Sequence, residues 1–572
     1  MTTEKELTGY PSIDKPWLKY YSEEAINAKM PECTIYEYLW ENNKNHLDDV
    51  ALVYVGRKIK YSELFKNIDV FSAVFSREGI GEGDIVTVIA PSIPEIIYSF
   101  YALNKIGAVS NFVDPRKSPE ELSTLLSPLK TKACIILDDM WAGFYDVVKQ
   151  HTSMLFSVSV SDSLPLIPKA LLRLKGKKEL NKDIVPISEL TKNISDIKQI
   201  KTAAFKPDTM ALLEYTGGTT GVSKAVMLSN ENVNSVVEQT RYSGLPIKRG
   251  ETWLSVAFPF TAYSLICSQH MPLCFGTAAY LCFDLEIEKV EKQLLKYKVN
   301  HMANTPLMWE QITKSERASK ADLSFIIAPI VGADSLDVNK EKEINQFLKS
   351  HNCKYNLLKG YGMTEVSSGV CLTPNNEVNK LGSVGIPFSL INVAIFDIET
   401  QEELKYGEQG EICIKGPSVM LGYFNNEEEN KNILRTHSNG EVWLHSGDLG
   451  HIDEDGFLFI DGRIKRMIID HTGFKIFAPV VESVISKNIC VEKCCVVGAK
   501  DKEHNVGQIP VAFVILKENT DAKEAEKEIL HLCEKELPSF SLPQKIVFKE
   551  SFPYTSANKV DYRALEKEAE RL

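Results

Sequence analysis

Through the first 150 residues, short apolar runs alternate with longer amphipathic ones. IVTVIAPSI (85–93) is a continuous apolar run of strand length, and PEIIYSFYALNKIG (94–107) has helical spacing, opened by Pro94 and stopped by Gly107. ACIILDD (133–139) is a second strand of the same kind. Strands and helices in alternation predict an α/β fold with a largely parallel sheet. The rhythm breaks at 156–200, where a proline-bounded insert carries Lys169, Arg173, Lys175, Lys177 and Lys178. A solvated loop or surface helix is the plain reading of that insert; weak peripheral contact with an anionic membrane surface is the alternative. After GRIKR (462–466) a strand-rich stretch gives way to a compact, acidic, helix-containing tail, so a domain boundary is expected there. The division is 1–464 and 465–572.

Composition narrows the partners. A chain of 572 residues is too long for one core. With 44% hydrophobic and 25% charged residues it has ordinary globular composition. A formal net charge of −12 with no sizeable basic run argues against nucleic acid. An anionic substrate therefore needs a locally positive pocket. The N-terminus, MTTEKELTGYPSIDKPW, is polar and reads as no signal peptide, and no uncharged apolar run reaches membrane-spanning length. Twelve singly scattered cysteines suit reduced thiols, and a cytoplasmic location is expected. Cys490, Cys494 and Cys495 lie in ICVEKCCVVG, which reads as a buried strand rather than a metal site, because no second ligand group at zinc spacing follows.

The chemistry concentrates in EYTGGTTGVSKAVMLSN (214–230). It follows the apolar strand MALLEY (210–215) and precedes a segment whose later part is helical. Glycines between strand and helix let successive backbone N–H groups converge on an anion, threonine hydroxyls add donors, and Lys224 adds a point charge. A triphosphate is the natural guest and a mobile surface turn the competing reading. The spacing is not the Walker pattern.

YTGGTTGVSK resembles the phosphate-binding signature of the adenylate-forming enzymes, which include acyl-CoA synthetases, peptide-synthetase adenylation domains and luciferases. GYGMTE (360–365), GEICIKGPSVMLGYFNN (410–426), WLHSGDLGHIDEDGF (443–457), GRIKR (462–466) and TSANKV (555–560) follow in the family's order. The resemblance implies a large N-terminal domain of layered α/β sheets with a small β-barrel-like subdomain, and a small, mobile α+β C-terminal domain hinged at Lys465. It implies that a carboxylate attacks the α-phosphate of ATP, with Mg²⁺, and that the acyl group then passes to the thiol of CoA. Thr216, Gly217, Gly218, Thr219, Thr220 and Lys224 would enclose the β- and γ-phosphates. Tyr361, beside Gly360, would lie against the adenine, Thr364 near the α-phosphate, and Glu365 on the magnesium. Asp448 and Arg463 would hold the ribose. Lys559 would bridge the carboxylate and the α-phosphate, and Gly473 would line the pantetheine passage. A carboxylate ionised at neutral pH needs no general base, so electrostatics and positioning carry such a reaction.

The sequence departs from the family pattern at Asn558, Ser223, Ala225, Ser229–Asn230 and Arg466, and carries one extra residue before Gly473. AFPFTAYSLIC (257–267) has no histidine where the family usually has one, and no aspartate to pair an amino-acid substrate's ammonium. KPWLKYY, the YTGGTTG variant and the 156–200 insert resemble bacterial long-chain fatty acyl-CoA ligases. A medium- or long-chain fatty acid is therefore the expected substrate. An acyl-AMP ligase loading an acyl carrier protein is the alternative, and a non-catalytic ATP-binding protein the weakest reading.

Overall fold

In a computed structural model of the chain, the structure describes residues 7–165, 168, 180–194, 200–216, 223–256, 259–282, 286–504, 506–554 and 560–572. Two large sheets dominate. One has eight strands, running from edge to edge Gly422–Tyr423, Ala225–Ser229, Met210–Tyr215, Val109–Phe112, Ile85–Ile89, Thr131–Leu137, Met154–Val158 and Ile184–Pro186. From Met210–Tyr215 onward its neighbours are parallel, while the two strands at the other end are antiparallel. The second has nine strands, with Leu358–Tyr361, Ala328–Val331, His301–Asn304, Thr252–Val256, Ala278–Cys282 and Val50–Tyr54 in parallel at its centre.

The apolar runs become strands because both faces are covered. All five residues of Ile85–Ile89 are buried. The predicted helix is Pro94–Lys105, with Gly107 beyond it at φ +78. Every residue of that helix is buried, which only a position between two packed layers allows. One core cluster joins Phe100, Tyr101, Val236 and Ile266 from helical segments with Val88 and Ile135 of the eight-stranded sheet and Trp253 and Ile330 of the nine-stranded one. The helix's polar groups are paired inside this core. Lys105 Nζ donates to the Tyr36 hydroxyl at 3.1 Å and pairs with Asp69, and Ser163 Oγ donates to Glu95 at 2.5 Å.

A five-stranded antiparallel sheet follows, in which Asn392–Phe396, Gly410–Lys415, Leu434–Thr436 and Leu458–Arg463 are arranged around the long strand Val442–Ile452. Beyond the short turn Ile464–Arg466 the chain forms the small C-terminal domain. A hairpin, Met467–Ile469 with Lys475–Phe477, precedes a three-stranded sheet of Val491–Lys500, Gln508–Leu516 and Lys545–Phe548. The helices Ala478–Ile485 and Ala522–Glu536 cover one face of this sheet, and Tyr562–Ala569 covers the other. The cysteine-rich stretch is a strand, as expected, with Cys494 packed toward the first face and Cys495 toward the second. The basic insert residues Lys169, Arg173, Lys175, Lys177 and Lys178 lie outside the described residues. Among the described residues no helix is long and apolar enough to cross a membrane.

Candidate active site

The glycine-rich segment leaves the strand Met210–Tyr215 at the carboxyl end of a largely parallel sheet, where α/β folds place their ligands. Its base is closed by two contacts: the Thr216 N–H donates to the Lys224 carbonyl at 3.1 Å, and the Lys224 N–H donates to Thr216 Oγ1 at 3.3 Å. Gly217, Gly218, Thr219 and Thr220 lie outside the described residues. The Lys224 ammonium pairs with Glu429 and lies 4.7 Å from the centroid of the Tyr423 ring. The Tyr423 hydroxyl in turn donates to Glu365 Oε1 at 2.7 Å. This chain of contacts ties Lys224 to the GYGMTE segment, 141 positions further along the sequence (365 − 224).

GYGMTE begins on the strand Leu358–Tyr361 and turns sharply into the short helical turn Thr364–Val366. Gly360 lies on that strand, and Thr364 opens the turn. The glycine that the bend requires is Gly362: a Cβ there would sit 1.6 Å from the Ser368 carbonyl oxygen. Ser367 and Ser368 follow at φ +56 and +103, a strained pair of non-glycine residues. Glu365 is 6% exposed, and burial raises its carboxyl above the ordinary range. The hydrogen bond from Tyr423, and after it the charges of Arg463 and Lys224, pull the other way. A buried carboxylate with one oxygen hydrogen-bonded, near the Lys224 ammonium, is a fitting ligand for a hard divalent ion.

Asp448 occupies the centre of a three-residue constellation. Read alone, GDLG suggests a turn, but the structure places Asp448 inside the strand Val442–Ile452, just before a bulge at Leu449/Gly450. The cross-strand partner of Asp448 is Arg463, whose Nε lies 2.6 Å from Oδ1. The Tyr361 hydroxyl donates to Oδ2 at 2.7 Å. Asp448 is 3% exposed, and its backbone N–H donates to Ser446 Oγ at 3.0 Å. Here GYGMTE, HSGDLG and GRIKR, distant in sequence, meet at one carboxylate.

Lys465 joins the positive rim. Burial lowers its ammonium pKa; the charges of Lys224, Arg463 and Arg563 add to the depression, and Glu429 opposes it. Three further cations thus act on the Lys465 ammonium, which marks a locally positive region. Gly473 is set apart in the turn between the two strands of the small-domain hairpin. It has φ +89, and its N–H donates to the Asp470 carbonyl at 3.1 Å. A Cβ at that position would meet nothing within 4 Å, so its surroundings are open and only its backbone conformation calls for glycine. Lys559 lies outside the described residues.

The last five residues of AFPFTAYSLIC (257–267) open a π-helix, Tyr263–His270, a form that recurs at functional sites. It packs directly on the adenylate motif: Cys267 Sγ lies 3.0 Å from Ser368 Oγ. A Cβ on Gly332 would lie 3.1 Å from the Gly360 carbonyl oxygen and 3.8 Å from the Tyr263 ring. Gly332, Glu429 and Arg563 were not read from the sequence. No local signal marks them, since each matters through a partner brought from elsewhere in the chain. Tyr423 carried a signal, as it lies within GEICIKGPSVMLGYFNN.

Comparison with known proteins agrees with this geometry. The AMP-binding enzyme family matches residues 39–424, and the AMP-binding enzyme C-terminal domain matches residues 480–559. The long-chain-fatty-acid–CoA ligase of Bacillus subtilis (strain 168) is 28% identical, covering 97% of this chain and 98% of that protein. The 4-coumarate–CoA ligase CCL1 of Humulus lupulus is 29% identical, covering 94% and 96%. Among solved structures, ATP-bound MatB from Rhodopseudomonas palustris superposes with a TM-score of 0.81 at 21% identity, covering 94% of this chain and 99% of that one. Motifs, fold and family matches coincide: the chain belongs to the adenylate-forming, AMP-binding enzyme family, in its large domain and its C-terminal domain alike.

Proposed function

We propose that the protein is an AMP-forming acid–CoA ligase whose acid is a medium- or long-chain fatty acid. The single observation that carries the nucleotide half is the meeting of Tyr361, Asp448 and Arg463, a carboxylate preset to accept from two ribose hydroxyls beside an aromatic ring. Thr216 and Lys224, with Gly217, Gly218, Thr219 and Thr220, hold the β- and γ-phosphates. Glu365 holds Mg²⁺, which supplies charge neutralisation between the phosphates, and Thr364 lies by the α-phosphate. Glu429 gives up Lys224 when the triphosphate arrives. The substrate carboxylate attacks the α-phosphorus, the bond to the bridging oxygen of pyrophosphate breaks, and acyl-AMP forms. Lys559 offsets the repulsion between the two anions in that step.

Rotation of residues 465–572 about Lys465 then presents the passage beside Gly473 to CoA. The thiolate attacks the acyl carbonyl, AMP leaves, and the thiol proton passes to solvent. The preference for a fatty acid over an amino acid rests on the absence of an aspartate in AFPFTAYSLIC (257–267) to pair an ammonium. It also draws support from the Bacillus relative, although the Humulus relative acts on a different acid by its name. The test is ATP–pyrophosphate exchange with a panel of fatty, aromatic and amino acids, followed by CoA or acyl carrier protein as acceptor. Exchange with aromatic or amino acids matching that with fatty acids removes the fatty-acid reading. Acyl transfer to carrier protein alone removes CoA as the acceptor.

A further inference from the structure

Two arginines flank the centre of the short turn Ile464–Arg466, and each is tied to a different part of the molecule. Arg463 ends the strand Leu458–Arg463 and holds Asp448 of the large domain, with Nε 2.6 Å from Oδ1. Arg466 makes its contacts in the small domain. Its guanidinium pairs with Glu482 of the helix Ala478–Ile485, and Nη2 donates to the Val496 carbonyl, on the strand Val491–Lys500, at 3.2 Å. Cζ lies 5.3 Å from the centroid of the Tyr562 ring, at the start of the helix Tyr562–Ala569.

These contacts gather helices from both faces of the small sheet and one of its strands. The Val496 N–H also donates to Glu482 Oε1, at 2.7 Å, so helix, strand and arginine share one carboxylate. A planar guanidinium suits the task, since its edge serves a carboxylate and a carbonyl while its face lies toward a ring. Arg466 and Glu482 are each only 18% exposed. Their attraction is therefore screened far less than that of Lys475 and Glu399, at 34% and 71%.

The place of Arg466 in the chain gives the contacts their consequence. Met467, the next residue, begins the hairpin that carries Gly473 and pairs with Phe477. Tyr562 lies three positions beyond Lys559. Arg466 thus joins the two stretches expected to serve the two half-reactions. Its contacts lie inside the small domain and travel with it. The approach across the hinge is of another kind: a Cβ on Gly462 would lie 2.9 Å from Pro479 Cγ, and a rotation between them must break that packing. Between the two anchored arginines stand Ile464 and Lys465.

We propose that Arg466 is a positioning residue, the small-domain anchor of the hinge. It confines rotation to Ile464 and Lys465, and it makes the Gly473 hairpin and the Lys559 segment move as one body. This inference rests on the two-position mechanism proposed above and names the residue that transmits its motion. Arg466 is also a departure from the family pattern, so the anchor is a feature of this chain.

The test places spin-labelled unnatural residues at exposed Lys342 of the large domain and exposed Lys527 of the small one, and measures their separation. The unsubstituted chain should give one narrow distance with a non-hydrolysable ATP analogue and another with an inert acyl-AMP analogue and CoA. In Arg466→Met both distributions should broaden. Both half-reactions, read in single turnover, should slow about 10–100-fold, the cost of a small misplacement. Affinity for ATP, set in the large domain, should stay within about twofold. Glu482→Gln, whose amide oxygen still accepts from Val496, should broaden the distances too, and Arg466→Lys should fall between Arg466→Met and the unsubstituted chain. A merely structural role would lower the melting temperature and leave both distances narrow in the folded protein. Distances that stay narrow in Arg466→Met and Glu482→Gln, or a loss confined to one half-reaction, would overturn the anchor alone. A single distance under both conditions in the unsubstituted chain would instead overturn the two-position mechanism, and the anchor with it.

Discussion

The large domain's share of the site and the small domain's share are built on different principles. Around the buried carboxylates the groups are already paired: Tyr361 and Arg463 grip the two oxygens of Asp448, and Tyr423 grips Glu365. These residues sit on or beside strands, whose ladders fix their positions. The small domain instead contributes from turns, Ile464–Arg466 and the hairpin turn containing Gly473. Among its described contacts with the large domain is an exposed ion pair, Lys475 with Glu399, at 2.5 Å. Exposed pairs of this kind are worth about 0–1 kcal/mol. On the proposed mechanism, one half is preorganised to bind and the other exchanges its position between steps. Binding and switching make opposite demands on rigidity, and the proposed mechanism assigns them to separate domains.

Substitutions that load one half and spare the other test this contrast most severely. Lys559→Ala is expected to cut acyl-AMP formation by about 10²–10³-fold, the usual cost of a lost electrostatic donor. It should still convert supplied acyl-AMP and CoA into thioester. Single-turnover assays of each half-reaction distinguish the outcomes, and equal loss in both would collapse the division of labour. Asp448→Asn strikes the rigid half. It removes a charged acceptor from two ribose hydroxyls and from Arg463, an effect of about 1.5–3 kcal/mol. KM for ATP should rise roughly 10–100-fold, with little change in the use of CoA once the adenylate is bound.

Gly473→Leu probes the exchangeable half. A side chain at φ +89 costs about 1–2 kcal/mol, so the thioester step should slow about tenfold while pyrophosphate release persists and acyl-AMP accumulates. Gly473→Ala separates the causes: the same loss with Ala points to backbone strain, and a milder one to obstruction of the passage. A thioester step left intact in Gly473→Leu would mean that the extra residue before it has moved the passage elsewhere. The smallest effect is expected at Glu429→Ala. Freeing Lys224 from a half-exposed pair should lower KM for ATP by no more than about fivefold. A rise in KM would show instead that Glu429 positions the lysine for phosphate.

Local patterns in the chain announced much of this. The strands Met210–Tyr215 and Ile85–Ile89 and the helix Pro94–Lys105 were legible because continuous apolar runs, a proline start and a glycine stop are properties of neighbouring residues. The family's motifs likewise named Thr216, Lys224, Tyr361, Glu365, Asp448 and Arg463 before any geometry was known. The order of strands in the two sheets was not legible, because pairing joins residues far apart in sequence. Nor was the strand conformation at Asp448, since Ser-Gly-Asp has the local chemistry of a turn and only pairing with Leu458–Arg463 extends it. Gly362 was written inside a motif, but its necessity comes from the Ser368 carbonyl folding back upon it. Glu429 on Lys224, Cys267 on Ser368, and His471 beside His504 were decided by tertiary structure alone. The sequence by itself determined which groups are present and which backbone they sit on. Which groups share a few ångströms was settled by packing, because interaction energy depends on distance through space and is indifferent to separation along the chain.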